Sequence, residues 1–113
     1  MVRNAAAFTF LLTVMMSSGS LSASDFEGVW KVKDTAGKEF EITLFSNRTA
    51  SSNLRPDMIG TWKEEGASAV IKWETGWTTK IVKSASGYLH LAYRPRDPLN
   101  GRPAGSSDAE KIR

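Results

Sequence analysis

The sequence predicts an all-β protein, a small antiparallel meander of six to seven strands that forms a barrel or a strongly curved sheet. From Phe26 onward, apolar and polar residues alternate with a period of two, as in strands with one buried face. Short polar turns separate the alternating runs, and no stretch after residue 23 shows a helical period. Strands that follow one another through short loops favour a meander over alternating helices and strands.

The first predicted hairpin shows the alternation most clearly. Its first strand places Phe26, Trp30 and Val32 on one face, and residues 34–37 form a polar turn. The return strand at 39–44 alternates in the same way, with an apolar face made of Phe40, Ile42 and Leu44.

Further hairpins are predicted at 59–73 and at 77–93, with turns at 65–68 and 84–87. The polar segment 46–53 between the first two hairpins has room for a short edge strand around Thr49. In the last strand, the alternation directs Leu89, Leu91 and Tyr93 inward, and Tyr88, His90 and Ala92 outward.

The chain divides into three predicted regions. Residues 1–23 have the pattern of a secretory signal peptide, with Arg3, an apolar run at 5–16 and small residues before a cleavage point after Ala23. Residues 24–98 form the single β domain. Residues 99–113 are rich in Pro, Gly, Ser and charge, which predicts a polar, flexible C-terminal tail.

The signal peptide indicates export, to the periplasm or to the extracellular medium. Its apolar run is shorter than the roughly 20 residues that span a bilayer, so no transmembrane segment is expected after cleavage. The sequence has no cysteine, which excludes disulfides, thiol catalysis and cysteine-ligated metals. The net charge of +3 falls by one when Arg3 is removed, and the charges interleave along the chain, so no nucleic-acid partner is expected.

A four-residue pattern, Gly-X-Trp-Lys, occurs twice, at Gly28 (GVWK) and at Gly60 (GTWK). Glycine at a strand start permits a sharp backbone bend or lets an indole lie over the backbone. We therefore expect Trp30 and Trp62 to plug one end of the barrel.

Such an opening on a small exported meander resembles lipocalins and avidin-like barrels. The resemblance implies a barrel that holds a small ligand, but none of the ligand positions of the avidin family is carried over to this chain. The chain is also similar to the small periplasmic proteinase inhibitors of bacteria, although their disulfide cysteines have no counterpart here.

The candidate binding residues are aromatic. Trp30, Trp62 and Trp73 are expected to fill the core, where each ring buries about 150–250 Å². Trp77 follows Gly76 in a connection and is expected at the mouth, where aromatic rings form a platform for a sugar or a flat apolar ligand. The full set of candidate ligand-binding residues is Trp62, Trp73, Trp77, Tyr88, Tyr93 and Glu74.

No catalytic residue, metal site or cofactor is predicted. His90 is the only histidine, and no serine lies in a recognisable nucleophile motif. Glu64 and Glu65 are adjacent on a strand and therefore point to opposite faces. The leading interpretation is a non-catalytic binding protein for a small apolar or sugar-like ligand. The alternative is a protein-interaction module of the cell envelope, similar to a protease inhibitor, that acts through residues 47–57 or through the tail.

Overall fold

A computed structural model describes residues 24–113 and shows eight β-strands in this range. The predicted signal peptide lies outside the described residues. The strands are β1 (Gly28–Lys33), β2 (Glu39–Leu44), β3 (Thr49–Ser52), β4 (Met58–Glu65), β5 (Ser68–Trp73), β6 (Thr78–Ser84), β7 (Gly87–Tyr93) and β8 (Gly105–Lys111).

The eight strands form one closed antiparallel barrel. Each strand pairs with the next along the chain, and β8 pairs with β1 through Trp30 opposite Lys111 and Lys31 opposite Glu110. The predicted all-β barrel is therefore confirmed, with eight strands instead of six to seven. The short strand expected around Thr49 is β3, and it lies between β2 and β4 instead of at an edge.

The up-and-down topology gives the barrel two distinct ends. The connections β1–β2, β3–β4, β5–β6 and β7–β8 all lie at one end, which we call the mouth. The other three connections lie at the opposite end, which we call the base. Residues at the starts of β1 and β7 therefore belong to the base, and residues at their ends belong to the mouth.

Aromatic side chains close the base. The Tyr88 ring packs edge-on against Trp30, with centroids 4.8 Å apart, and against Phe26 at 5.9 Å. The Trp30 indole N–H donates to the Phe26 carbonyl at 2.8 Å. Trp62 donates its indole N–H to the carbonyl of Phe45 in the β2–β3 connection. The expectation that Trp30 and Trp62 plug one end agrees with this packing, and both side chains are buried.

The two Gly-X-Trp glycines have different structural roles. Gly28 has a φ of 136°, a conformation that L-residues rarely adopt. Gly60 lies where β4 and β5 come close, and a Cβ there would collide with the Lys72 carbonyl. The predicted sharp bend therefore fits Gly28, whereas Gly60 permits a close approach of two strands, a role that was not predicted from the sequence.

The prediction of a polar tail at 99–113 is wrong for its last part. Residues 105–111 form β8, which pairs with β7 along five residues and closes the barrel against β1. The prediction relied on the low apolar content of this segment. A closing strand, however, is stabilised by backbone pairing on both of its edges, here with β7 and β1. Ala109 alone contributes a buried apolar side chain from this strand.

The predicted inward face of β7 is also wrong. The register places His90 opposite Ile81, which is fully buried in the barrel core, so the inward residues are Tyr88, His90 and Ala92. Both faces of β7 carry apolar residues, because the β7–β8 loop covers part of the outer face. There, Tyr93 is buried near Lys80, whose ammonium donates to the Leu99 carbonyl at 2.6 Å.

Candidate functional site

The mouth of the barrel contains a cavity of about 390 Å³. Its rim comes from four connections that the up-and-down topology brings together, and its walls come from the inward faces of the strands. The rim residues are Lys33, Asp34, Thr35, Leu54, Arg55, Thr75, Trp77, Gly105 and Ser106, and the wall residues are Phe40, Met58, Trp73, Thr79, His90 and Ala92.

The apolar walls are built from residues on facing strands. Phe40 comes from β2, Met58 from β4 and Trp73 from β5, each on the inward face of its strand. Trp77 ends the β5–β6 connection and is half-buried at the rim. These side chains form an aromatic surface inside the mouth that suits a flat apolar group.

A buried hydroxyl lies beside this aromatic surface. The Trp73 indole N–H donates to Thr79 Oγ1 at 2.9 Å, and both side chains are buried. Because the hydroxyl oxygen accepts this bond, its own O–H remains a donor. Thr79 therefore offers a ligand one directed hydrogen bond from an otherwise apolar wall.

His90 lines the same cavity and is only 4% exposed. Burial lowers its pKa from 6.5 to about 4, and a hydrogen bond to the Lys33 backbone raises it by a smaller amount. The imidazole is therefore neutral at pH 7. Its Nδ1 lies 3.2 Å from Ser107 Oγ, and the Phe40 ring packs edge-on against it.

The His90–Ser107 contact joins β7 to β8 at the barrel seam. Ser107 Oγ accepts the Lys33 backbone N–H at 3.1 Å and so links β8 to β1 near the mouth. Ser107 is not among the residues that line the cavity. A histidine with a pKa of about 4 is also a weak base at neutral pH.

Two cations and one carboxylate lie at the rim. Lys33 and Arg55 line the cavity and are exposed, and within residues 24–113 neither belongs to an ion pair. Asp34 is already engaged locally, because its Oδ1 accepts the backbone N–H groups of Ala36 and Lys38. The lining residues therefore carry one formal positive charge in excess.

The predicted binding residues do not form one site. Trp73 and Trp77 lie in the mouth cavity, whereas Trp62 and Tyr88 pack at the base. Tyr93 is buried on the outer face, and exposed Glu74 lines a shallow outer groove across β3, β4 and β5. The predicted aromatic platform of Trp77 with Tyr88 and Tyr93 therefore does not form.

Sequence reasoning missed several residues of the cavity. Phe40 is predicted as a core residue, and it belongs to the buried cluster while also lining the cavity. The prediction of a surface position for His90 is wrong, because its strand carries apolar residues on both faces. Lys33 and Arg55 had no motif around them. Their one available signal was position, since each lies at or next to a predicted turn, and alternate turns of a meander share one end of the sheet.

Within residues 24–113, the structure contains no group of three or more acidic or histidine side chains that could hold a metal ion. The same range has no helix of the length and apolarity needed to cross a membrane. No family model, curated protein or solved structure matches this chain. The barrel and its cavity are therefore the basis for a functional proposal.

Proposed function

We propose that this protein binds a small, mostly apolar ligand in the mouth cavity and catalyses no reaction on it. The observation that carries the proposal is the cavity of about 390 Å³ walled by Phe40, Trp73 and Trp77. Ligand sites have volumes of about 300–1,000 Å³, so this cavity suits a small ligand. Barrels of about eight strands are wide enough to hold one small ligand inside the mouth.

The polar groups of the wall support a ligand with one or two hydrogen-bonding groups on an apolar body. The Thr79 hydroxyl and the neutral His90 imidazole are the two buried polar side chains on the wall. A ligand that made no hydrogen bond to these two groups would displace their water and leave them unpaired, which would cost binding free energy. Together they would select the orientation of a flat ring stacked near Trp73.

The proposal includes the statement that the protein catalyses no reaction on its ligand. His90 has no carboxylate partner among its hydrogen bonds, and its lowered pKa makes it a poor general base. Its neighbour Ser107 is occupied at the seam. A role in holding a ligand agrees better with these contacts than a role in proton transfer.

A neutral fluorescent probe, N-phenyl-1-naphthylamine, tests the proposal. We expect saturable binding with one site per chain and a rise in probe fluorescence. The variant Ala92→Phe fills the cavity from the inward face of β7 and should weaken binding at least about tenfold. Its matched control is Ala85→Phe, in an exposed turn at the base, which should bind as the wild type does.

Two results would count against the proposal. Absence of saturable binding would reject an apolar ligand, and binding of a disaccharide alone would change the ligand class to a sugar. Equal binding by Ala92→Phe and the wild type would place the probe outside the mouth.

The alternative of a protein-interaction module has one feature in its favour. Phe45 and Ile59 are exposed and line the outer groove beside β3, on either side of the predicted interaction segment 47–57. Nothing in residues 24–113 indicates the chemistry of a partner for this groove. The mouth cavity, which has both shape and directed polar groups, is the better supported site.

Export to the periplasm or the medium remains a proposal based on residues 1–23. It predicts that the protein purified from its own host begins at Ser24. The N-terminal sequence of that protein is the direct measurement, and an intact residue 1 would contradict export by a cleaved signal peptide.

A further inference from the structure

We propose that Thr79 sets the ligand specificity of the mouth cavity: its hydroxyl O–H donates a hydrogen bond to an uncharged acceptor oxygen on an otherwise apolar ligand. This inference deepens the proposed function and rests on it. A carbonyl oxygen on a flat apolar body fits both the hydroxyl and the aromatic wall. The ligand class is therefore a small aromatic or conjugated carbonyl compound, such as a ketone, an ester or a lactone.

The strand register directs the Thr79 side chain into the barrel. Thr79 lies opposite Ile71, a fully buried core residue of β5, and opposite Ala92 on β7. Its chain neighbour Thr78 lies opposite Tyr93 and therefore on the outer face. Thr79 is only 5% exposed and lines the cavity. Its hydroxyl is thus a buried polar group on the inner face of β6.

The hydrogen of this hydroxyl has no acceptor within residues 24–113. An indole nitrogen only donates, so Thr79 Oγ1 accepts the hydrogen bond from Trp73 at 2.9 Å, and the Thr79 O–H donates to no group of the protein in this range. His90, the other buried polar side chain of the wall, already contacts Ser107 Oγ through its Nδ1. Because buried polar groups are nearly always paired, the Thr79 O–H points to an acceptor that the ligand supplies.

Space for this acceptor lies beside the hydroxyl. Ala92, directly across from Thr79, ends in a methyl group, is partly exposed and lines the cavity. Residues that lie directly opposite on one face of a sheet have Cβ atoms about 4.5–5.5 Å apart. A ligand atom above the Ala92 methyl is therefore within reach of the Thr79 hydroxyl. The aromatic ring of such a ligand would lie beside Trp73, which holds the hydroxyl from its other side.

The surroundings of the hydroxyl favour an uncharged acceptor. Ile71 and Ala92 flank Thr79, and Gly105 lies opposite Ala92, so no cation lies directly across from this part of the wall. Burial lowers the pKa of His90, which keeps the nearest imidazole on β7 neutral at pH 7. An ionised carboxylate here would lose its hydration without meeting a cation, whereas a carbonyl oxygen has much less hydration to lose.

Two probes of the same shape test the inference: 2-acetonaphthone has a carbonyl oxygen, and 2-isopropenylnaphthalene has a methylene group in its place. Both affinities are measured by displacement of N-phenyl-1-naphthylamine, and their ratio is compared between proteins, so that the different hydration of the probes cancels. Thr79→Val removes the O–H and leaves a methyl group in front of the Trp73 indole. We expect it to lower the ratio of ketone to hydrocarbon affinity about fivefold, as the loss of one neutral hydrogen bond predicts.

Two matched controls separate the hydroxyl from packing. Thr79→Ser keeps the O–H, and Thr78→Val makes the same substitution on the outer face of β6, so both should keep the wild-type ratio. An unchanged ratio in Thr79→Val would overturn the inference and leave the proposed function intact. An equal fall in either control would also overturn it. Failure of both probes and of the naphthylamine to bind the wild type would overturn the proposed function itself.

A measurement on the wild type alone tests the same hydrogen bond if Thr79→Val does not fold. The C=O stretch of bound, isotope-labelled 2-acetonaphthone is recorded by infrared difference spectroscopy. A hydrogen bond from an O–H weakens the C=O bond, so we expect the stretch at a lower frequency than in hexane. A frequency equal to that in hexane would overturn the inference.

Discussion

Replacing His90 should remove a specific part of the pH dependence of stability. In the folded chain, burial lowers the pKa of His90 from 6.5 to about 4. The unfolded chain therefore holds this proton more tightly than the folded chain does. The resulting stability is complete above pH 6.5 and is lost as the pH falls toward 4. These two pKa values give a loss of about 2 kcal/mol in the free energy of unfolding between pH 7 and pH 5.

The measurement is urea denaturation followed by tryptophan fluorescence at pH 7, 6 and 5, on the wild type and on His90→Gln. Glutamine keeps a polar side chain without a titrating group, so carboxylate titrations contribute equally to both proteins and cancel in the difference. We expect the wild type to lose about 2 kcal/mol more than the variant over this range.

A second measurement follows the same group directly. His90 is the only histidine, so its ring signals in an NMR titration need no assignment by mutation. We expect a midpoint near 4 in the folded protein. A midpoint near 6.5, or parallel stability curves for the wild type and His90→Gln, would refute the burial of a neutral imidazole in the wall.

The remaining predictions concern the barrel itself. Ile42→Ala, at a fully buried position, should lower the free energy of unfolding by about 2–5 kcal/mol in urea denaturation. Its control, Ile59→Ala, at a position that is 47% exposed, should change this free energy by less than about 1 kcal/mol. Equal costs for the two variants would contradict the inward orientation of Ile42 on β2. Gly60→Ala should lower stability by about 2 kcal/mol or more because of the close strand approach, and Gly101→Ala, where a Cβ has ordinary contacts, should have little effect in the same assay. Truncation before Gly105 removes β8 and leaves the edges of β1 and β7 unpaired, so the truncated chain should show no cooperative unfolding transition when followed by circular dichroism. A truncated chain that still unfolds cooperatively would show that β8 is dispensable.

Much of the fold could be predicted because alternation and turns are local properties of the chain. The hairpins ending in Leu44, Trp73 and Tyr93 lie close to the predicted positions, since each combines a period of two with a polar turn. A short strand was also predicted around Thr49, in the polar segment 46–53, and β3 lies there. Closure of the barrel could not be predicted from local sequence, because β8 has little apolar content and pairs with β1, a strand more than 70 residues earlier in the chain.

The cavity was harder to predict than the fold because it depends on which residues from distant strands share an end and a face. Trp73 and Trp77, two of the predicted ligand-binding residues, line the mouth cavity, but the same reasoning from aromatic residues also selected Tyr88 and Tyr93. Tyr88 faces inward at the base, and Tyr93 is buried on the outside. Side-chain chemistry alone does not show whether an aromatic residue lies in the mouth, at the base or on the outer face of the barrel.

The sequence by itself determined the all-β class, the order of the hairpins and the burial of Trp30 and Trp62. These features follow from local alternation and from the cost of leaving large apolar side chains in water. Only the tertiary structure decided that β8 closes the barrel, that His90 faces inward and that Lys33 and Arg55 share the rim. Each of these depends on the pairing register between strands, and a shift of one residue in that register exchanges the inner and outer faces of a strand.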